Sequence, residues 1–144
     1  MSDVKTPEKI VYRTKVVSTG GRRGGRSTSE DGILDVELDA PKEMGGPGGK
    51  TNPEQLFAAG YAACFTGALG LVAKKQSVDA SAATVTAEVG FGPEGESFGI
   101  TVDLTVDVPG LDTAKVQELA DAAHQVCPYS KATRGNIPVT VKAA

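Results

Sequence analysis

The sequence is poor in the residues that hold metals or bind nucleic acids. It contains two cysteines and one histidine, whereas a structural zinc site normally takes four cysteine or histidine ligands, so we expect no metal. Lysine and arginine total 15 against 18 for aspartate and glutamate, which gives a net charge of -3. This balance argues against nucleic acids and anionic membranes as the main partners.

A continuous hydrophobic run is missing from the first residues. Residues 1–17 alternate charged and apolar side chains, unlike a signal peptide or a membrane anchor, so we expect a cytoplasmic protein. In the cytoplasm a cysteine pair is reactive, metal-bound or structural more often than a permanent disulfide. The length of 144 residues predicts one domain over residues 1–144, small enough for a partner subunit to complete its core.

The first third of the chain carries strand and turn signals. Residues 10–18 (IVYRTKVVS) have the β-branched and aromatic pattern of a strand, and Gly20 and Gly21 end it. Residues 33–39 alternate with period two after a turn signal, which predicts a hairpin with one solvent-exposed face. Residues 41–50 are too rich in glycine and proline for regular structure.

The middle of the chain predicts one long apolar helix. Asn52 is a good N-cap, Pro53 suits the first helical position, and Gln55 can close a capping box. The helix should run to about Lys75. Its apolar residues go right round the cylinder, so every face should be buried. No other element is long enough to cover it, and we expect two copies to pack together in a homodimer.

The second half of the chain predicts a hairpin, a second helix and a last strand. Together with the first half, the order of strands, helix, strands, helix and strand with hairpin connections is typical of the α+β class. The predicted elements are a hairpin over residues 82–90 and 98–108 with its turn at 92–95, a helix that is capped by Asp112 or Thr113 and stops or kinks at Pro128, and a strand over 137–142.

Cys64 and Cys127 are the candidates for chemistry, although each also has a structural explanation. Cys64 lies in the middle of the apolar helix, where a cysteine usually serves as a small hydrophobic side chain. Cys127 continues the apolar stripe of the second helix, so both should face the same core. Helix-dipole stabilisation fades within the first turn, so a thiolate at Cys64 requires a cation from elsewhere. His124, one turn before Cys127, is a candidate base for it.

Three arginines form the only concentrated supply of cations before the long helix: Arg22, Arg23 and Arg26. Their alternative role is a solvated loop or an anion nest. Glu54 lies in the first helical turn, where a carboxylate complements the helix dipole. It precedes Cys64 by ten residues, or about 15 Å along a straight helix. If Glu54 orients an arginine that serves Cys64, the site should need a second subunit.

Three stretches together resemble the organic hydroperoxide resistance proteins of the Ohr/OsmC family. They are TGGRRGGR at residues 19–26, NPEQLFAAGYAACF at 52–65 and VCPYSKATRGN at 126–136. The resemblance spans nearly the whole chain. It implies an α+β fold of antiparallel sheets around a long buried central helix, in an intertwined homodimer with its sites at the interface.

The resemblance also implies roles for individual residues. In that family the first cysteine is peroxidatic and the second is resolving, which carries over to Cys64 and Cys127. An arginine after the GG turn and the glutamate of the NPEQ motif match Arg22 and Glu54, and a shifted alignment would choose a neighbouring arginine instead. The implied protein is a thiol peroxidase of oxidative-stress defence that reduces organic hydroperoxides. It needs no cofactor, but an external dithiol of the lipoyl type must reduce it.

Such a site predicts a two-step cycle. The Cys64 thiolate attacks the peroxide and becomes a sulfenic acid, and Cys127 then condenses with it to form a disulfide. Alkyl, aryl or fatty-acid hydroperoxides should be preferred over hydrogen peroxide. The residues expected to form the apolar walls of the pocket are Leu56, Phe57, Tyr61 and Phe65.

Two other readings of the cysteine pair remain open. The pair can oxidise stoichiometrically in a redox sensor or a scavenging protein, or it can be two inert thiols in a structural dimer. The sequence has no recognisable DNA-binding helix pair with a basic face, which counts against the sensor.

Overall fold

A computed structural model describes residues 4–144, and the chain divides into two compact units, Met1–Pro53 and Glu54–Ala144. The first unit is built around a small sheet, and the second combines helices with another sheet. The predicted α+β class is therefore confirmed. That the whole chain acts as a single domain stays a prediction.

The sheet of the first unit consists of three antiparallel strands in the order of the sequence. They are β1 (Val16–Thr19), β2 (Gly25–Ser29) and β3 (Asp35–Leu38), and the 3-10 turn Lys42–Met44 follows them. The strand predicted over residues 10–18 was wrong in extent. Its β-forming residues Val11 and Tyr12 are exposed and have no partner strand within residues 4–144, because β2 offers only five residues for pairing.

The loop between β1 and β2 holds Arg22 and Arg23 at its tip. Gly20, Gly21 and Gly24 have φ angles of 74°, 69° and 70°, in the left-handed region that favours glycine. A Cβ on Gly25 would collide with the Gly21 carbonyl oxygen, so the two sides of the loop approach too closely for a side chain at that position. The turn between β1 and β2 thus requires its glycines, and this turn places Arg22 and Arg23 at the tip of the loop.

The second unit contains three helices and a three-stranded sheet. The sheet order is β4-β5-β6, with β4 antiparallel to β5 and β6 parallel to β5. This sheet is therefore mixed, because two helices separate β5 from β6 and give the chain the length for a parallel return. The elements are α1 (Pro53–Lys75), β4 (Thr84–Glu94), β5 (Ser97–Asp107), α2 (Thr113–Val126), α3 (Pro128–Thr133) and β6 (Val139–Ala143).

The β4–β5 hairpin is longer than the sequence pattern predicted. Glu94 pairs with Ser97 across a two-residue turn, and Gly95 there has a φ of 58°. The predicted turn at residues 92–95 was wrong because Pro93 is accommodated inside β4. This strand lies at the edge of the sheet, where the missing N–H of a proline breaks no ladder hydrogen bond.

Helix α1 has the predicted bounds but is not buried on every side. One face joins a core with β5 and α2, while Ala59, Ala63, Gly67 and Gly70 lie exposed on the opposite face and Leu71 is 57% exposed. The helix is long and apolar enough to cross a membrane, but the core helix of a soluble protein meets the same criteria. Its buried residues are Tyr61, Phe65, Ala68, Leu69, Val72 and Ala73.

Candidate functional site

The two cysteines meet in the core of the second unit. The Cys127 Sγ lies 3.7 Å from the Cys64 Sγ, and both are free thiols. Cys127 is fully buried, whereas Cys64 is partly exposed. The prediction that both face one core is confirmed. Only Cys64 is open to a small molecule from solvent, and a modest movement would bring the sulfurs within bonding distance.

Cys127 owes its position to the proline that follows it. Pro128 cannot donate a backbone hydrogen bond and restricts the preceding residue to extended backbone, and Cys127 accordingly has a φ of -63° and a ψ of 124°. Helix α2 ends there, with the Cys127 N–H donating to the Ala123 carbonyl at 2.8 Å. The same residue caps α3, because the Ser130 N–H donates to the Cys127 Sγ at 3.5 Å. Cys127 is thus both the last residue capping α2 and the first residue capping α3, and the chain changes direction there.

The protein environment of Cys64 in this unit disfavours the thiolate. Burial raises the pKa of the Cys64 thiol above its ordinary value, and the neighbouring Cys127 thiol raises it further. The backbone N–H of Tyr129 donates to the sulfur and lowers the pKa in part. Chemistry at Cys64 near neutral pH therefore requires a cation, which agrees with the expectation from the mid-helix position.

His124 bonds to a hydroxyl group and not to the thiol for which it was a candidate base. Its Nδ1 lies 2.7 Å from the Ser130 Oγ, whereas the Cys127 Sγ bonds to Cys64 and to the Ser130 N–H. The reading of His124 as a direct base for Cys127 was therefore wrong. In the part of the chain from residue 4 onward, no three histidine, cysteine, aspartate or glutamate side chains come together as a metal site.

The candidate arginines differ in their surroundings within the first unit. Arg26 forms a two-pronged ion pair with Asp35, with both N–O distances at 2.7 Å, and Arg23 donates to the Met44 carbonyl at 3.2 Å. Both are exposed, whereas Arg22 is half-buried. These contacts hold Arg23 and Arg26 within their own unit.

Glu54 is half-buried in the first turn of α1. The helix continues without a break from there to Cys64 and beyond, so the carboxylate and the thiol cannot meet along one helix, as the ten-residue spacing predicted. Whether Arg22 and Glu54 act in catalysis stays a prediction.

An apolar cleft of about 700 Å³ adjoins the cysteine pair through Tyr129. Its lining includes Tyr129 and also Pro128, which directly follows Cys127. Of the four expected wall residues, Phe57 lines this cleft. Tyr61 and Phe65 were wrong as walls, because both are fully buried in the core.

A buried set of hydroxyl groups beside Cys127 was missed from the sequence. The Tyr61 hydroxyl lies 2.8 Å from the Ser130 Oγ and 2.9 Å from the Thr133 Oγ1. The only sequence signal for it is the spacing of Ser130 and Thr133 in CPYSKAT, since residues three apart share a helix face. Nothing in the pattern indicates that the face meets Tyr61.

Known proteins resemble this chain along nearly its whole length. The family model "OsmC-like protein" matches residues 46–142. An organic hydroperoxide resistance protein of Xanthomonas axonopodis pv. citri is 52% identical, with 96% of this chain and 99% of that protein covered, and OhrB of Bacillus subtilis is 47% identical, with 92% and 97% covered. The crystal structure of an organic hydroperoxide resistance protein from Legionella pneumophila superimposes with a TM-score of 0.88 at 42% identity, covering 94% of this chain and 99% of that one. The chain therefore belongs to the OsmC family, on the branch of the organic hydroperoxide resistance proteins.

Proposed function

We propose that this protein is a cysteine-based thiol peroxidase that reduces organic hydroperoxides to alcohols and so confers resistance to them. One observation carries the proposal: the partly exposed Cys64 thiol lies 3.7 Å from the buried Cys127 thiol. This is the arrangement of an accessible attacking thiol and a protected resolving thiol. The kinship with organic hydroperoxide resistance proteins supports the choice of substrate.

In the first step the Cys64 thiolate attacks the distal peroxide oxygen. The O–O bond breaks, the alkoxide takes a proton and leaves as an alcohol, and Cys64 becomes a sulfenic acid. Because burial and Cys127 raise the pKa of the Cys64 thiol, a cation has to favour the thiolate. We assign this role to Arg22, which would also stabilise the charge that develops on the leaving oxygen, and we assign to Glu54 the orientation of the guanidinium.

In the second step the Cys127 thiol condenses with the sulfenic acid. An S–S bond forms, the S–O bond breaks, and the hydroxyl leaves with the thiol proton as water. An external dithiol, for which lipoyl groups are the proposed source, then reduces the Cys64–Cys127 disulfide by exchange. The chemistry lies in the two thiols, so the cycle needs no bound cofactor.

The substrate class follows from the cleft beside Tyr129. Its lining includes Phe57, Phe98, Tyr129 and Ile137, and such a surface gains free energy by excluding water from an alkyl or aryl group. Hydrogen peroxide offers no apolar surface. We therefore expect alkyl, aryl and fatty-acid hydroperoxides to be preferred.

The exposed face of α1 supports a homodimer. A row of small residues on an apolar helix permits close packing of a second helix, and Ala63 and Gly67 lie exposed in the single chain. We propose that a second copy covers this face and that the protein acts in the cytoplasm, where dithiol reductants are available.

The proposed function is tested by hydroperoxide consumption with excess dithiol. Cumene or tert-butyl hydroperoxide is supplied to the wild type and to the variants Cys64→Ser and Cys127→Ser. We expect turnover in the wild type, none in Cys64→Ser, and rapid inactivation of Cys127→Ser by further oxidation of Cys64. Consumption of one equivalent without turnover would indicate a redox sensor or scavenger, and no consumption would indicate inert structural thiols.

A further inference from the structure

Three helices of the second unit meet at one buried serine. The Ser130 Oγ of α3 lies 2.8 Å from the Tyr61 hydroxyl of α1 and 2.7 Å from the His124 Nδ1 of α2. Ser130 and Tyr61 are fully buried. The Tyr61 hydroxyl also lies 2.9 Å from the Thr133 Oγ1. Four side chains thus form one hydrogen-bonded group, which we call the Ser130 network: Tyr61, His124, Ser130 and Thr133.

The network compensates for the shortness of α3. A six-residue helix does not form by itself in water, because nucleation is costly, and α3 spans only Pro128–Thr133. Its two buried residues are Ser130 and Thr133, both members of the network. A further bond from the Arg134 Nε to the His124 carbonyl, at 3.1 Å, ties the end of α3 back to α2.

The same short helix orients the buried thiol. Cys127 is its N-cap, and the Ser130 N–H that donates to the Cys127 Sγ belongs to the residue whose hydroxyl is held by Tyr61 and His124. A shift of Ser130 would therefore loosen the backbone turn at Cys127 and would also remove the hydrogen bond that orients the Cys127 Sγ. A buried polar group with all its partners in place favours one arrangement over its alternatives.

We propose that the Ser130 network positions Cys127 for disulfide formation and so protects Cys64 from overoxidation. This inference rests on the proposed peroxidase function. The 3.7 Å between the sulfurs must shrink to about 2.05 Å in the disulfide. The network holds the Cys127 thiol at this short distance from Cys64. Its members act by positioning the thiol, and Tyr61, His124 and Ser130 do not line the substrate cleft.

Two reactions compete for the Cys64 sulfenic acid. In one, the Cys127 thiol displaces the hydroxyl, giving the disulfide and water. In the other, a second hydroperoxide molecule transfers its distal oxygen to the sulfenic sulfur, giving a sulfinic acid and an alcohol, and the peroxide is the oxidant. Because the first reaction is intramolecular, its rate depends on how often Cys127 stands within reach. The network should therefore set the fraction of Cys64 that is lost at each turnover.

The test compares Ser130→Ala and Tyr61→Phe, each of which removes one hydroxyl of the network. The matched control is Thr66→Val, which removes a partly buried hydroxyl of α1 that bonds only within its own helix, to the Ala62 carbonyl at 2.7 Å. Circular dichroism establishes that each variant is folded. The first readout is the equilibrium of the Cys64–Cys127 pair with glutathione, which gives the effective concentration of one thiol toward the other.

We expect both network variants to lower this effective concentration about tenfold, the factor that corresponds to one lost buried hydrogen bond, and Thr66→Val to leave it unchanged. With excess cumene hydroperoxide, mass spectrometry should find more Cys64 sulfinic acid in both network variants. Folded variants with the wild-type effective concentration would overturn the proposal. Variants that only unfold would also overturn it, since the network would then be purely structural.

The glutathione equilibrium needs no peroxidase activity, so the two proposals can fail separately. If the wild type turns over no hydroperoxide, the proposed function is wrong, and a lowered effective concentration in Ser130→Ala would still support positioning of Cys127. If the wild type turns over hydroperoxide and the network variants match it in both readouts, only the positioning role is refuted.

Discussion

Cys64 has surroundings in its own unit that oppose the charge required for attack on a peroxide. Burial is the largest cause that raises the pKa of its thiol, Cys127 adds to it, and the Tyr129 N–H compensates only in part. A raised pKa lowers the fraction of reactive thiolate at neutral pH, and a positively charged neighbour would restore it. Whether Cys64 is reactive or structural therefore depends on a residue that brings a positive charge close to its thiol.

Replacement of Arg22 by methionine tests that assignment. We expect Arg22→Met to slow both alkylation of Cys64 and hydroperoxide turnover at neutral pH, by about tenfold or more, because an opposite charge lowers a pKa by about one to three units. The pH dependence of the iodoacetamide reaction measures the thiol pKa directly. Arg23→Met and Arg26→Met should have little effect, since the Met44 carbonyl and Asp35 hold these side chains. An equal loss in Arg23→Met would move the role to that residue.

His124 should make stability depend on pH. Burial is the first cause that lowers the pKa of its imidazole below the ordinary value of 6.5, Arg134 lowers it further, and Asp121 opposes both. The unfolded chain then binds the proton more readily than the folded one. Stability should fall as the pH drops from 6.5 toward the folded pKa.

His124→Asn removes this titration and retains a polar atom near the Ser130 hydroxyl. Urea unfolding between about pH 5 and about pH 8 covers the range in which histidine titrates. We expect the free energy of unfolding of His124→Asn to vary less with pH than that of the wild type. Identical pH profiles would show that His124 does not contribute.

At the scale of elements, α1 and α3 differ in what stabilises them. Helix α1 has the length and the capping residues to be recognised from the sequence, and its bounds agree with the prediction. Helix α3 is too short for a propensity argument. It forms where Pro128 ends α2 and where the Tyr61 hydroxyl shares hydrogen bonds with the Ser130 and Thr133 hydroxyls of α3. Cys127 lies at the start of α3, which depends more on tertiary contacts than α1 does.

Gly60 of α1 gives a test of this dependence. A Cβ there would lie 3.0 Å from the Tyr129 hydroxyl oxygen and 3.2 Å from its Cε2, closer than ordinary contact. Gly60→Ala should therefore raise the free energy of unfolding by less than the value of about 1 kcal/mol that helix propensity predicts. Disulfide formation should also slow, because Tyr129 belongs to α3 and Cys127 is the N-cap of that helix. Urea unfolding and the rate of thiol loss after peroxide addition measure the two effects.

The double variant Gly60→Ala with Tyr129→Phe is the control for this crowding. Tyr129→Phe removes the hydroxyl oxygen, which is the atom nearest to the new methyl group. The double variant should therefore recover part of the lost stability and part of the rate of disulfide formation, because the two residues interact and their effects are not additive. If Gly60→Ala gains the full stability expected from helix propensity and the rate of disulfide formation does not change, α3 can move away from residue 60 without affecting Cys127.

At the scale of the whole molecule, the exposed face of α1 leaves apolar surface in water. Apart from their own stretch of α1, no described atom lies within 4 Å of the position that a Cβ on Gly67 or Gly70 would take, so this face is open in the single chain. A partner subunit would remove that surface from water, and the proposed dimer brings two copies of Cys64 and Glu54 into one assembly.

Mixed dimers test whether a site is shared between subunits. Cys64→Ser and Glu54→Ala are each expected to be inactive as homodimers. If each site takes Cys64 from one chain and Glu54 from the other, a heterodimer of the two variants has one intact site and should regain half the wild-type turnover. Purified heterodimers, with their mass verified by light scattering, give the measurement. Inactive heterodimers would show that both residues serve the same site from one chain.

The sequence by itself determined the α+β class, the bounds of α1, the corner at Pro128 and the candidate cysteines. These features depend on local chemistry, since caps, proline and apolar periodicity act over a few residues. The extents of β1 and of the β4–β5 hairpin were wrong because strand ends depend on which residues face them across the sheet. The last strand was predicted, but its parallel pairing with β5 was not, for the same reason.

Only the tertiary structure decided which side chains surround the two thiols. It brought Cys64 and Cys127 to 3.7 Å across 63 residues of sequence, joined Ser130 to Tyr61 and His124, and buried Tyr61 and Phe65 that had been expected to line a pocket. Periodicity tells which face of an element is apolar, but not which element covers that face. The sequence alone therefore identified the two cysteines as candidates, and only the tertiary structure showed how they are buried and placed relative to each other.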